Sequence, residues 1–194
     1  MINIYPNNDS TQTTHPDAQA VLDFWFSDDT RPFWFAKSDD FDDRLKVRFG
    51  CVLSQATQGE LEHWRATMHG RLAEIIVLDQ FSRNIYRGTP ASFAQDGMAL
   101  VLAQVALMLP SFAELNETER HFLLMPYMHS ESLVIHEQAV HLFGRYVNES
   151  ALDFELKHKV IIERFGRYPH RNAILGREST PEELAFLDEP NSSF

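Results

Sequence analysis

The sequence predicts an all-α fold from three observations. Apolar residues recur at helical spacing along almost the whole chain, no stretch sustains the strict alternation of a half-buried strand, and cap and proline signals recur between the apolar runs. No Gly/Ser- or Pro-rich linker divides the chain. The expectation is one domain over residues 14–189, between a polar flexible N-terminal tail (1–13) and a short C-terminal tail (190–194). About eight to ten helices joined by short loops would pack as antiparallel hairpins. No clean 34-residue repeat is present, so an ideal solenoid is not indicated.

Each element has its own signal. Pro16 and Asp17 suit a first helical turn ahead of Val21, Leu22, Phe24 and Trp25. Arg31-Pro32 breaks that helix, and Ser38 caps a second one carrying Phe41, Leu45, Val47, Phe49 and Leu53. Gly59 interrupts before Leu61 and Trp64, and a long apolar helix follows from about Gly70 to Tyr86. Thr89-Pro90 restarts a helix with proline at its first position, and Met98 to Leu109 reads as buried, far short of the roughly 20 residues that span a bilayer. Asn116 or Thr118 caps a helix containing Phe122 and Leu123 that Pro126 interrupts. Ser130 to Val147 is amphipathic, Leu152 to Phe165 follows, and Gly166 and Pro169 break the pattern. Ser179-Thr180-Pro181-Glu182-Glu183 combines a cap, a first-turn proline and acids for a last short helix.

Composition narrows the function classes. The 194 residues carry 17 Lys+Arg against 28 Asp+Glu, a formal charge of −11, which argues against nucleic acid or anionic membrane as partner. The acidity sits mainly at the ends: residues 1–30 and 178–194 hold ten acids and no Lys or Arg. One cysteine, Cys51, permits no internal disulfide and no cysteine-based zinc site, and its surroundings read as a buried inert thiol. The N-terminus has no secretory pattern, so a soluble cytoplasmic protein is expected.

Three polar constellations interrupt the apolar frame. In LDQFSRNIYRG, the residues Asp79, Gln80, Arg83, Asn84 and Arg87 fall at i, i+1, i+4, i+5 and i+8, one stripe continuing an apolar helix. Either Asp79 and Arg83 pair internally, or Gln80, Arg83, Asn84 and Arg87 line a pocket and direct donors at an anion. In RFGRYPHRNAILGR, Arg164, Arg167, Arg171 and Arg177 accompany His170 and Asn172 without a single acid. These arginines either cap helix ends and pair with surplus acids, or grip a carboxylate or phosphate with planar forks. In MPYMHSESLVIHEQAVHLF, Ser130 reads as a helix cap with Glu131 near the positive helix end. The HEQAVH run spaces its histidines by five residues, so they diverge where a zinc motif needs i, i+4, and no metal site is expected. His129 and Glu131 could instead complete an arginine-lined pocket as acid or base, with His170 and Asp79 as further candidates. No phosphate loop, dinucleotide fingerprint or nucleophile elbow is present, and no cofactor is expected. The aromatic stretch DFWFSDDTRPFWF reads as core packing round a loop.

Taken together, LDFWF, LDQFSRNIYRGT, MPYMHSE and RFGRYPHRNAILGRESTPEELAFL resemble the bacterial family designated domain of unknown function 924, from about Ala20 to Leu187. Membership implies a tetratricopeptide-like arrangement of helix pairs without the repeat consensus. It implies no particular activity, substrate or cofactor. The matching residues include Asp79, Gln80, Arg83, Asn84 and Arg87, then His129, Ser130 and Glu131, then Arg164, Arg167, His170, Arg171, Asn172 and Arg177. Ser82 stands where the family commonly has proline, and His136 and His141 lie outside the pattern. Three functions compete: a binding module holding a small anion or a peptide or protein carboxylate, an enzyme acting on an anionic small molecule through His129 or His170, and a purely structural salt-bridge and capping network.

Overall fold

A computed structural model describes residues 13–190 and 192. The expected N-terminal tail lies almost wholly outside them, as does most of the C-terminal one. Helix α1 spans Pro16–Trp25, α2 Asp39–Thr57, α3 Met68–Ile76, α4 Ser82–Ile85, α5 Asp96–Leu107, α6 Glu117–Met128, α7 Leu133–Tyr146, α8 Glu149–Phe165 and α9 Pro181–Leu187. Among the described residues there is no strand, and no helix is long and apolar enough to cross a membrane. The expected caps form: Ser38 accepts from Phe41 N, while Asn116 with Glu119 and Thr180 with Glu183 close reciprocal capping boxes.

Helices α5–α6, α6–α7 and α7–α8 pack in sequence, and α3 lies centrally against α1, α5 and α6. The core centres on Trp25, whose ring meets Trp34, Phe41, Phe81 and Phe122. The aromatic loop is therefore core, apart from Phe35, which faces solvent. A smaller cluster of Ile161, Ile162, Tyr168 and Phe186 joins α8, the Arg-rich connection and α9.

Several local expectations are corrected. The long helix is continuous from Met68 to Ile85 but contains a π-turn at Val77–Phe81. Such a turn re-phases the side chains beyond it and often marks a site under functional constraint. Pro126 does not end its helix, which runs on to Met128. Every residue from Phe122 to Met128 is buried, and that packing outweighs the missing N–H. Thr89-Pro90 starts only one 3₁₀ turn, Pro90–Ser92, before α5 begins at Asp96. Helix α5 buries just Ala99, Ala103 and Ala106, whose small side chains let it approach its neighbours while Val101, Val105 and Met108 face out. Ser130 is not a cap; Ser132 precedes α7. Val47 and Cys51 lie on the outer face of α2 and are exposed.

Among the described glycines, Gly70 at the entry to α3 leaves the least room for a side chain. Thr67 accepts from Gly70 N at 3.0 Å, folding the preceding 3₁₀ turn onto the helix. A Cβ on Gly70 would lie 1.9 Å from Trp64 O, so no other residue fits without backbone movement. Gly70→Ala should therefore cost at least about 2 kcal/mol in urea-induced unfolding, the scale of overpacking a rigid site. A loss below about 0.5 kcal/mol would contradict this geometry.

Candidate functional site

The π-turn carries Asp79 and Gln80 into the interior, where both are buried. An ionised carboxylate there needs hydrogen-bonded partners. Gln80 Nε2 donates to Asp79 Oδ2 at 2.5 Å, Arg83 Nη1 lies 3.1 Å from Oδ1, and His129 Nδ1 lies 2.7 Å from Oδ1. Burial opposes ionisation, yet Arg83, His129 and these hydrogen bonds together hold the Asp79 carboxyl well below its usual range. Asp79 is therefore the acceptor, and His129 Nδ1–H donates. Burial and the positive charge of Arg83 lower the His129 pKa despite Asp79. The imidazole is thus neutral near pH 7, with its Nε2 lone pair free of any hydrogen bond among the described residues, and His129 is among the residues that line a cleft.

Sequence reading missed Asp96, which joins the two arginine-bearing motifs. It sits at the start of α5 and receives Arg83 Nη1 and Nη2 at 2.9 and 3.1 Å, and Arg171 Nη1 at 3.0 Å. Nothing in its local sequence distinguishes Asp96 from any first-turn acid; only the long-range packing gives it two arginines. The guanidinium of Arg171 also lies between the rings of Phe93 and Tyr168, 4.6 Å from each centroid.

The backbone round His129 is held with equal care. Three successive carbonyls at the end of α6 each accept from a buried or nearly buried side chain. Tyr168 Oη donates to Met128 O at 2.6 Å, Arg171 Nη2 to His129 O at 3.0 Å, and His136 Nε2–H to Ser130 O at 2.8 Å. A helix end leaves such carbonyls without intrahelical partners, and here tertiary side chains supply them. His136 is fixed in turn by Glu155 of α8, whose Oε1 is 2.7 Å from Nδ1 and whose carboxyl pKa is raised by burial. Glu155 escaped sequence reading because nothing in the sequence of α8 marks it as the partner of a buried histidine on another helix.

The remaining candidates divide by environment. Glu131 receives both terminal nitrogens of Arg177, at 2.6 and 2.8 Å, and the Tyr168 N–H at 2.7 Å. Arg177 Nε donates to Asn172 Oδ1, and Asn172 Nδ2 to Ser179 Oγ. Arg167 pairs with Glu183, and Arg164 with Glu182 on the surface. Arg87 and Asn84 form a separate patch, Arg87 binding Asp42 bidentately and also donating to Asn84 Oδ1. His170 is turned inward beside Tyr168; burial and Arg171 push its pKa down to about 4, and its buried Nδ1 has no hydrogen-bond partner.

Asp79, Arg83, Asp96, His129 and Arg171 thus form one network behind a cleft of about 300 Å³. Its lining combines the apolar Pro90, Phe93, Ala94, Gly97, Leu100 and Leu175 with the polar Asp96, His129, Ser130, Glu131 and Arg171. No group of three or more His, Cys, Asp or Glu side chains among the described residues is placed to hold a metal ion.

Fold and site together define an all-helical domain organised about a buried carboxylate–arginine–histidine network. The chain belongs to the bacterial family of proteins of unknown function DUF924, whose model matches residues 21–191. It is similar to a solved structure, a protein of unknown function from Agrobacterium tumefaciens, with 35% identity and a TM-score of 0.83. That match covers 88% of this chain and 96% of the other. No curated protein matches the chain.

The two arginines of the long helix should respond differently to truncation. Arg83→Ala leaves Asp79 and Asp96 short of a partner and should cost about 3–5 kcal/mol in chemical denaturation. Arg87→Ala, at the more exposed patch, should cost about 1 kcal/mol or less. Equal losses would contradict the distinction between the buried network and the surface pair.

Proposed function

We propose that the cleft is an acid–base catalytic site in which His129 is the general base and Asp79 its orienting partner. The observation that carries this reading is the state of the two ring nitrogens. Nδ1 is tied to a buried carboxylate at 2.7 Å, while Nε2 of this cleft-lining residue has no hydrogen bond among the described residues. That arrangement fixes both tautomer and ring direction, as a positioned base requires. Arg171, Tyr168 and His136 hold the adjoining carbonyls and so limit movement of the catalytic turn.

In the simplest reaction of this kind, hydrolysis of an ester, Nε2 takes a proton from water as the water oxygen bonds to the carbonyl carbon. The imidazolium then returns that proton to the departing alkoxide oxygen as its C–O bond breaks, and neutral His129 is restored. Asp79 stabilises the transient imidazolium without itself taking the proton. Ser130, which follows His129 and also lines the cleft, would supply the hydroxyl for the developing oxyanion.

The other use of the arginines, as anchors for a small anion or a peptide carboxylate, would require Arg83, Arg87, Arg164, Arg167, Arg171 and Arg177 to exchange carboxylate partners they already hold. The acid–base reading needs no such exchange. Hydrolysis of a panel of simple esters and lactones tests it. Turnover should fall by about 10²–10⁴ in His129→Gln. The base must be neutral and its pKa is lowered, so the rate should be level through neutral pH and decline only on the acid side of about 6.5. Turnover retained in His129→Gln, or absent across the panel, would overturn the proposal.

A further inference from the structure

Resting on the acid–base reading, we infer that the cleft takes an uncharged substrate whose apolar flank lies against Phe93, Leu100 and Leu175. This departs from the anionic ligand that the arginine-rich motifs suggest in the sequence. The inference comes from the charge balance of the residues that line the cleft together with the partners behind them. Asp96 is matched by Arg83 and Arg171, Asp79 by Arg83, and Glu131 by Arg177. Three carboxylates therefore face three guanidiniums, and the neutral imidazole of His129 adds nothing.

Geometry reinforces that balance. Both terminal nitrogens of Arg171 already donate to protein acceptors, and its guanidinium carbon lies 4.6 Å from the ring centroids of Phe93 and Tyr168. Both oxygens of Glu131 accept from Arg177, and one also from a backbone N–H. A charged ligand would lose its hydration and find no unmatched opposite charge in return. A neutral carbonyl compound meets no such cost. Its apolar portion would cover the apolar lining residues, and the volume of about 300 Å³ stands at the small end of ligand cavities.

The test uses ethyl butyrate and monoethyl succinate, esters of similar length of which only the second carries a carboxylate. Each is titrated into the ¹⁵N-labelled full chain while the backbone amides of Gly97, Ser130 and Arg171 are followed by NMR. Ethyl butyrate should shift these amides and bind about tenfold or more tightly than monoethyl succinate. Equal or tighter binding of the succinate ester, or no shift with either ester, would overturn the inference. Asp96→Asn leaves the arginines in excess and should move the preference toward monoethyl succinate by about tenfold; an unchanged preference in the folded variant would also count against it. Ester cleavage followed in parallel separates the two levels. Selective binding of ethyl butyrate without cleavage above the His129→Gln background would support the ligand class and defeat the acid–base reading.

Discussion

A single buried carboxylate sets the constraint on which the rest of this molecule depends. Asp79 has no exposed surface, and a charge in that position is tolerated only while it is fully partnered. Its needs draw Arg83 and His129 inward. Arg83 then needs Asp96, and Asp96 supplies the anchor for Arg171. The chain of requirements begins on α3–α4, passes to the start of α5, and ends in the connection between α8 and α9. It thereby joins segments nearly a hundred residues apart.

That network also explains why the last third of the chain is built as it is. The Arg164–Arg177 connection is short on regular structure, yet it is ordered by side chains that reach back to the α6–α7 turn. Tyr168 contributes its hydroxyl, its backbone N–H and its ring: the first to Met128 O, the second to Glu131, the third to one face of Arg171. Gly166, at φ 68°, ends α8 in the left-handed conformation that lets the chain turn back toward this site. The α6–α7 turn is thus clamped from α8 and from the connection together, and His129 sits at its centre.

Much of the fold was legible because local chemistry decides it. Ser38, Asn116 and Thr180 mark helix starts by satisfying orphan N–H groups within three residues, and those signals need no knowledge of the tertiary structure. The π-turn, the continuation of α6 through Pro126 and the exposed flank of α5 were not legible, since each is settled by packing between distant segments. At the site, the i, i+4 pairing of Asp79 with Arg83 was visible as spacing. The meeting of Arg83, His129 and Arg171 was visible only as one alternative, a shared arginine-lined pocket, because Asp96, which binds both arginines, belongs to a helix whose sequence gives no hint of it. The arginines stood out by number, but their acids, among them Asp42, Asp96 and Glu183, were scattered along the chain. Reading arginines without their partners favoured an anion; the completed pairs favour neutrality.

The central claim is that Asp79 holds His129 as a neutral imidazole with its proton on Nδ1 and its lone pair on Nε2. Two-bond ¹H–¹⁵N correlation spectra of the histidine rings at pH 7 report this directly. The account predicts, for His129, a protonated Nδ1 and an unprotonated Nε2, with that pattern lost in Asp79→Asn. A His129 carrying its proton on Nε2, or doubly protonated at pH 7, would contradict it.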